Sequence, residues 1–283
     1  MDRFERAWLI VNAASGSNTP AALEELLGSC GEHGLTVART VGFPDEPLPD
    51  PATLDAAGVP LVVIYTGDGT LNAALTRLKG WGGAVLVLPG GTMNLLSKRL
   101  HGDFPAAEII KVVANGGARR RRVLKIAGAC GDAYAGLLAG PGTHWGVVRE
   151  AMREFDFAAI ASGTAEALAK STGEAMVRAV DPPLGSRDGY PLIDMTPGEH
   201  GIQVNGYHAG TAGELAQQGW ALVRRRFREG PHDRMGIVER ITLENVDGSP
   251  VQVLLDGEAC DGAPQLTFRV AESEVDLLAT HHA

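Results

Sequence analysis

"VPLVVIYTGDGTLNAALTRLKG", residues 59–80, reads as three pieces joined in one order. The first seven residues show no polar alternation, as expected for a strand covered by helices on both faces. "TGDGT", Thr66 to Thr70, then sets glycines on either side of Asp68, and "LNAALTRLKG" predicts a short helix. A buried strand that turns through glycine into a helix is half of a βαβ unit.

The neighbouring sequence repeats the pattern. "AWLIVN" predicts a strand, "AASGSN" a polar turn, and Pro20 a helix start ahead of "AALEELLGSCGEHG", whose apolar spacing is helical and which ends in glycine. "LTVARTVG" is the next strand, and the Pro-rich connection "FPDEPLPDPATLDAAG" leads back to residue 59. Downstream, "AVLVLP" (84–89) is another buried strand entering a second Gly-rich turn, "GGTMN", then the helical "LLSKRLHG" and the amphipathic "PAAEIIKVVANGG". Repeated units of this kind imply a mostly parallel sheet with right-handed crossovers, whose ligands bind beyond the carboxyl ends of the strands.

After about residue 120 the pattern changes. "RRVLKIAGACGDAYAGLL" reads as a hairpin, followed by the glycine-rich "AGPGTHWG" and a helical region that includes "TAEALAKSTGEAMVRAV". "DPPLGSRDGYPLIDMTPGEHG" reads as turns, "IQVNGYHAG" as a strand, and "ELAQQGWALVRRRFREG" as either helix or strand. "MGIVERITLEN", "SPVQVLLDGEAC" and "PQLTFRVA" read as successive strands, with Asp247-Gly248 and Asp261-Gly262 placed as hairpin turns. The expected organisation is an α/β domain over 1–120, with 271–283 a candidate to return to it, and a β-rich domain over 121–270.

Composition bounds the function. With 283 residues, 45% hydrophobic, 5% aromatic and zero mean hydropathy, the chain is a globular one rich in aliphatic side chains. A net charge of −9 and pI near 5.4 argue against general nucleic-acid binding, which needs a basic face. "ARRRRVLK" (118–125) and "VRRRFREG" (223–230) remain as local basic patches suited to phosphate or an anionic membrane surface. No run approaches the 18 or so apolar residues of a membrane span, and the start does not read as a secretion signal. Cys30, Cys130 and Cys260 lie far apart without a CxxC pair, so neither a disulfide framework nor a zinc site is expected, and a reducing cytosol is the simplest setting. The eight histidines show no HExxH spacing.

Two Gly-rich turns at the ends of buried strands suit a phosphate chain, since glycine lets backbone amides approach an anion and a helix N-terminus favours it. Asp68 is the odd member. A carboxylate there makes sense as a helix cap, as a partner of ribose or amine, or within a water network around Mg²⁺. In "PGGTMN" (89–94), Gly91, Thr92 and Asn94 offer amides and side-chain donors; Asn12, Ser15 and Gly16 follow the first strand and could touch the same ligand. "VQVLLDGEAC" has two readings: a hairpin turn at Asp256-Gly257, or one strand that sets Asp256 and Glu258 on the same face as a pair of acid–base carboxylates.

Taken together, "NAASG" (12–16), "TGDGTLNA" (66–73), "PGGTMNL" (89–95) and "DGE" (256–258) resemble the NPxSG, GGDGTxNE, PxGTxND and DGE motifs of the diacylglycerol kinase catalytic-domain family, which includes bacterial lipid kinases and sphingosine and ceramide kinases. The resemblance implies an NAD-kinase-like α/β nucleotide-binding domain followed by a β-sandwich domain, with ATP and a lipid meeting in the cleft. It implies nucleotide contacts from Asn12, Ser15, Gly16, Thr66, Gly67, Asp68, Gly69, Thr70, Asn72, Gly91, Thr92 and Asn94. Asp68 could also reach Mg²⁺ through water. Asp256 would deprotonate a lipid hydroxyl for attack on the γ-phosphate, with Glu258 near the nucleotide or its metal.

The expected protein is therefore an ATP-dependent lipid kinase acting on a diacylglycerol-like or sphingoid lipid at the membrane surface. It would be cytoplasmic and peripheral to the inner face of the membrane; a homodimer is left open. The sequence departs from the pattern at Thr66, Ala13 and Ala73, and carries Leu95 and Leu124 where many members have Asp. An NAD-kinase-like enzyme is the nearest rival, though its adjacent Asn-Glu motif is not apparent. A non-catalytic nucleotide- or lipid-binding protein is the rival of another class.

Overall fold

The computed structural model describes residues 4–15, 18–91, 94–140, 176–207, 232–260 and 262–281. The chain divides into two units: Met1–Val123 with Glu272–Ala283, and Leu124–Ala271.

In the first unit, strands β1 (Arg6–Val11), β2 (Thr36–Gly42), β3 (Leu61–Thr66) and β4 (Ala84–Pro89) alternate with helices α1 (Pro20–Glu32), α2 (Pro51–Ala56), α3 (Asp68–Arg77), α4 (Leu95–His101) and α5 (Ala106–Ala114). β5 (Arg119–Arg121) and the C-terminal β18 (Asp276–Ala279) complete a sheet in the order β2-β1-β3-β4-β18-β5, parallel apart from β5. All six β3 residues are buried, which is why this strand lacks alternation. Successive crossovers leave β1 in opposite directions, to β2 on one side and β3 on the other, so the order reverses at the β1/β3 boundary. Apolar side chains of α1, α5 and the strands, among them Leu26, Ile109, Val63 and Leu86, form a shared core.

Two local readings change. The Pro-rich connection contains α2, because Asp50 accepts from the Thr53 amide at 2.9 Å and Pro51 sits where a missing N–H costs nothing. α3 begins at Asp68 rather than Leu71, so "DGT" is the first helical turn and not a loop before it.

The second unit is antiparallel. One sheet runs β10-β9-β14-β17-β6-β7, built from β6 (Leu124–Gly128), β7 (Gly131–Ala133), β9 (Val177–Asp181), β10 (Pro183–Leu184), β14 (Arg240–Asn245) and β17 (Gln265–Glu272). The other runs β13-β12-β11-β8-β15-β16, from β8 (Leu137–Gly140), β11 (Leu192–Gly198), β12 (Gly201–Tyr207), β13 (His232–Val238), β15 (Gln252–Leu255) and β16 (Glu258–Cys260). Ile126, Val177, Leu243 and Phe268 from the first share one core with Leu137, Ile193, Val204 and Val253 from the second, the arrangement of a β-sandwich.

The α/β plus all-β fold class is as expected, but several assignments within the sandwich differ. Val177–Asp181 is strand where the periodicity suggested helix, and Leu192–Gly198 is a full strand inside the supposed turn region. "MGIVERITLEN" breaks at Glu239 into β13 and β14, which lie in different sheets. The Asp247-Gly248 turn is real, with Asp247 accepting from the Ser249 amide, yet it links β14 to β15 across the sandwich rather than closing a hairpin. "AGPGTHWG" beyond residue 140, "TAEALAKSTGE", "ELAQQGWALVRRRFREG" and Asp261 lie outside the described residues.

Cys130 and Cys260 form a disulfide, contrary to the expectation from their spacing. They are 130 residues apart in sequence, so only the fold of the sandwich brings them together. Cys30 is a buried free thiol.

Candidate functional site

At the carboxyl ends of β1, β3 and β4 three loops converge. Parallel pairing sets Thr66 opposite Pro89, so the two Gly-rich turns are adjacent. A Cβ at Gly91 would lie 2.6 Å from the Gly67 Cα, and one at Gly90 would lie 2.5 Å from the Thr66 nitrogen. These glycines are therefore required by backbone contact between the turns themselves.

The first loop braces the second. Ser15 Oγ accepts from the Gly67 amide at 3.1 Å, and Asn12 Nδ2 donates to Thr70 Oγ1 at 2.8 Å. Asn12 Oδ1 also accepts from the Ala14 amide at 2.8 Å, which fixes the side chain. Asn18 was not anticipated: its Nδ2 donates to the carbonyls of Asn12 at 3.0 Å and Tyr65 at 2.7 Å, tying the ends of β1 and β3. Its Oδ1 is buried without a partner among the described residues. An Asn just ahead of the Thr19 cap, in a loop of otherwise small residues, was the available signal.

Asp68 is held against the start of α4. The amides of Asn94, Leu95 and Leu96 meet its carboxylate, and Lys98 lies nearby. Burial nevertheless raises its pKa, outweighing those amides and the Lys98 charge, which pull the other way. Asn94, the formal N-cap of α4, has φ 52 and makes no cap bond. Instead its Oδ1 accepts from the Gly91 amide and its Nδ2 donates to the Gly91 carbonyl, both at 2.7 Å. The cap of α4 thus comes from another helix, and Leu95 takes part through its backbone.

Gly67 caps α3 without a side chain, and the first-turn amides of α3, including Gly69 and Thr70, have no intrahelical acceptor. Such a turn suits an anion. Thr66 is buried and its hydroxyl donates to the Gly67 carbonyl at 3.1 Å. Asn72 Oδ1 accepts from Thr76 Oγ1 at 3.3 Å along the helix. Gly16 and Thr92 lie outside the described residues.

In the second unit, β15 and β16 pair antiparallel, with Leu255 opposite Glu258 and Asp256-Gly257 between them at φ 50 and 91. The two-residue turn with both φ values positive is the hairpin reading; the single strand with Asp256 and Glu258 on one face is corrected. Asp256 Oδ2 accepts from the Tyr134 amide and Oδ1 from those of Ala135 and Gly136, each at 2.8 Å. Glu258 is exposed. Behind the cradle, Lys125 (1% exposed) meets Asp132 (9%) at 2.6 Å and lies 5.6 Å from the Tyr134 ring. Both charges are thereby paired where an isolated one would be costly.

Among the described residues, no three His, Cys, Asp or Glu side chains converge as a metal group, and no helix is long and apolar enough to cross a membrane. Among those described residues the donor set builds no protein-held metal centre.

Residues 6–126 match the family model described as the diacylglycerol kinase catalytic domain, which bears out the family resemblance of the motifs and, at that coarse level, supports a lipid kinase. No curated protein sequence matches the chain. Its fold is similar to that of a solved protein from Bacillus anthracis str. Sterne assigned as a diacylglycerol kinase, with TM-score 0.61, 14% identity, and 99% of this chain and 96% of that one covered. A crystal structure of a diacylglycerol kinase from the same organism gives TM-score 0.57 at 15% identity, covering 99% and 98%. At such identities the likeness is one of fold.

Proposed function

We propose, on the premise that residues 6–126 carry a diacylglycerol kinase catalytic domain, that the chain is an ATP-dependent lipid kinase. It transfers the γ-phosphate to a hydroxyl of a diacylglycerol-like or sphingoid lipid taken from a membrane surface. The observation that carries this reading is the junction of Asn12, Ser15, Gly67, Thr70 and Gly91 at the strand-order reversal, where the open first turn of α3 can receive phosphate oxygens. Mg²⁺ fits as an ion carried by the nucleotide phosphates, with Asp68 reaching it through water at most. Asp256 accepts the proton of the lipid hydroxyl, in competition with the amides already bound to it.

The test is ATP-dependent labelling of a total lipid extract, with NAD offered in parallel and products identified by mass spectrometry. A phosphorylated lipid without phosphorylated NAD is the expected result; phosphorylated NAD alone overturns the assignment. A second reading, a nucleotide- or lipid-binding protein without turnover, is favoured by the three backbone donors already bound to the Asp256 carboxylate. ATP binding with no phosphorylated product across a broad lipid panel would establish it.

A further inference from the structure

Two hairpins of the second unit are tied to each other at both ends. The β6–β7 hairpin turns near Cys130, and the chain leaving β7 presents the amides of residues 134–136. The β15–β16 hairpin turns at Asp256-Gly257 and has Cys260, paired with Val253, at its open end. Asp256 is bound to residues 134–136, and Cys260 to Cys130. The turn of each hairpin is thus fastened to the open end of the other. Between the two fastenings they pack closely, a Cβ on Gly131 falling 3.6 Å from Leu255 Cδ1.

We propose that the Cys130–Cys260 disulfide is a thiol-exchange site that controls how firmly the Asp256 turn is held. The inference deepens the lipid-kinase reading, on which its effect on turnover rests. The two hairpins lie at the edges of opposite sheets of the sandwich, so the disulfide bridges the two sheets rather than following a ladder. Both sulfur-bearing residues are only partly buried, at the margin of the core they pack against. Cys30, by contrast, is fully buried, and its thiol pKa is pushed up to about 11 by desolvation. It carries little thiolate and does not compete in exchange.

The partner is a dithiol reductant, small or protein-borne. Its thiolate attacks one sulfur and the S–S bond breaks, leaving a mixed disulfide and one released cysteine thiolate. The second thiol of the reductant then resolves the mixed disulfide. Cys130 and Cys260 leave with two electrons and two protons as free thiols, and the reductant leaves as its disulfide. With the covalent fastening gone, the Asp256 turn keeps only its hydrogen bonds to residues 134–136. Opening of the hairpin becomes easier and the candidate base is held less firmly.

The test uses the full chain, prepared without reductant and then treated with excess dithiothreitol. Thiol alkylation read by mass spectrometry should find Cys130 and Cys260 blocked before reduction and both modified after it. Hydrogen exchange at the Tyr134, Ala135 and Gly136 amides should quicken about tenfold on reduction and return on reoxidation, since exchange follows local opening. Lipid phosphorylation should fall in step and recover with it. Cys130→Ser should behave as the reduced protein whatever the reductant. Unchanged exchange on reduction, or free thiols at both positions in air-oxidised protein, overturns the proposal. If exchange responds but neither redox state phosphorylates any lipid, the control of the turn stands and the kinase reading fails.

Discussion

Asp256 and Gly136 are joined twice: Oδ1 of Asp256 accepts from the Gly136 amide at 2.8 Å, and the Asp256 amide donates to the Gly136 carbonyl at 3.0 Å. The residue proposed as base is therefore also part of the sandwich's framework. Asp256→Asn keeps one acceptor oxygen but turns an NH₂ toward an amide donor. Lost hydrogen bonding of this kind costs about 1–3 kcal/mol, to be read by urea unfolding. Lipid phosphorylation should vanish while ATP affinity holds; retained turnover would remove Asp256 from the chemistry.

Gly91→Ala places a methyl 2.6 Å from the Gly67 Cα, against backbone that has no side chain to move aside. Overpacking should cost about 1–3 kcal/mol and push the β3 and β4 turns apart. ATP affinity should fall at least as much as stability does, in calorimetry on the folded variant. An unaltered affinity would separate the glycine contact from nucleotide binding.

Asp68→Ala strips the borrowed cap from α4 and should cost about 1 kcal/mol, as other N-cap losses do. Asp68→Asn keeps an acceptor oxygen and should stay near wild type. Because burial raises the folded pKa above its ordinary 3.8, the folded state holds the proton longer than the unfolded chain. Ionisation of Asp68 therefore lowers stability as pH rises from 3.8 through the raised value. The Asn variant should lack that decline in a pH series of unfolding midpoints.

His101 is buried, with Nδ1 2.9 Å from Thr280 Oγ1, and desolvation lowers its pKa from 6.5 to about 4. The unfolded chain binds the extra proton first, so the contribution of neutral His101 is whole above pH 6.5 and is lost as pH falls toward 4. The difference corresponds to about 3 kcal/mol at one proton. His101→Gln should show a shallower fall over that window; equal slopes would locate the acid sensitivity elsewhere.

The α/β half was legible because its signals are local. Residues 61–66 are buried on both faces, and Gly67, Gly90 and Gly91 mark where backbone meets backbone. What Asp68 binds was not legible, since its partners are amides of Asn94–Leu96 and amides leave no trace in residue type. The sandwich was harder for a related reason. Its neighbours in sequence are often not neighbours in a sheet: β14 and β15 are joined by a clear turn, yet β14 pairs with β9 and β17 while β15 pairs with β8 and β16. The same non-local pairing brings Cys130 to Cys260.

β18 lies between β4 and β5 and supplies their hydrogen-bonding partner, although the whole of Leu124–Ala271 intervenes in sequence. The sheet that carries the Gly-rich turns is thus completed by residues synthesised after the whole sandwich. A fragment of residues 1–123 would leave β4 with a raw edge and β5 with nothing to pair with, so it should aggregate where the whole chain does not. Adding residues 272–283 in trans as a peptide should restore it. For a nascent chain, the sheet behind the Gly-rich turns can close only after the sandwich residues have been synthesised.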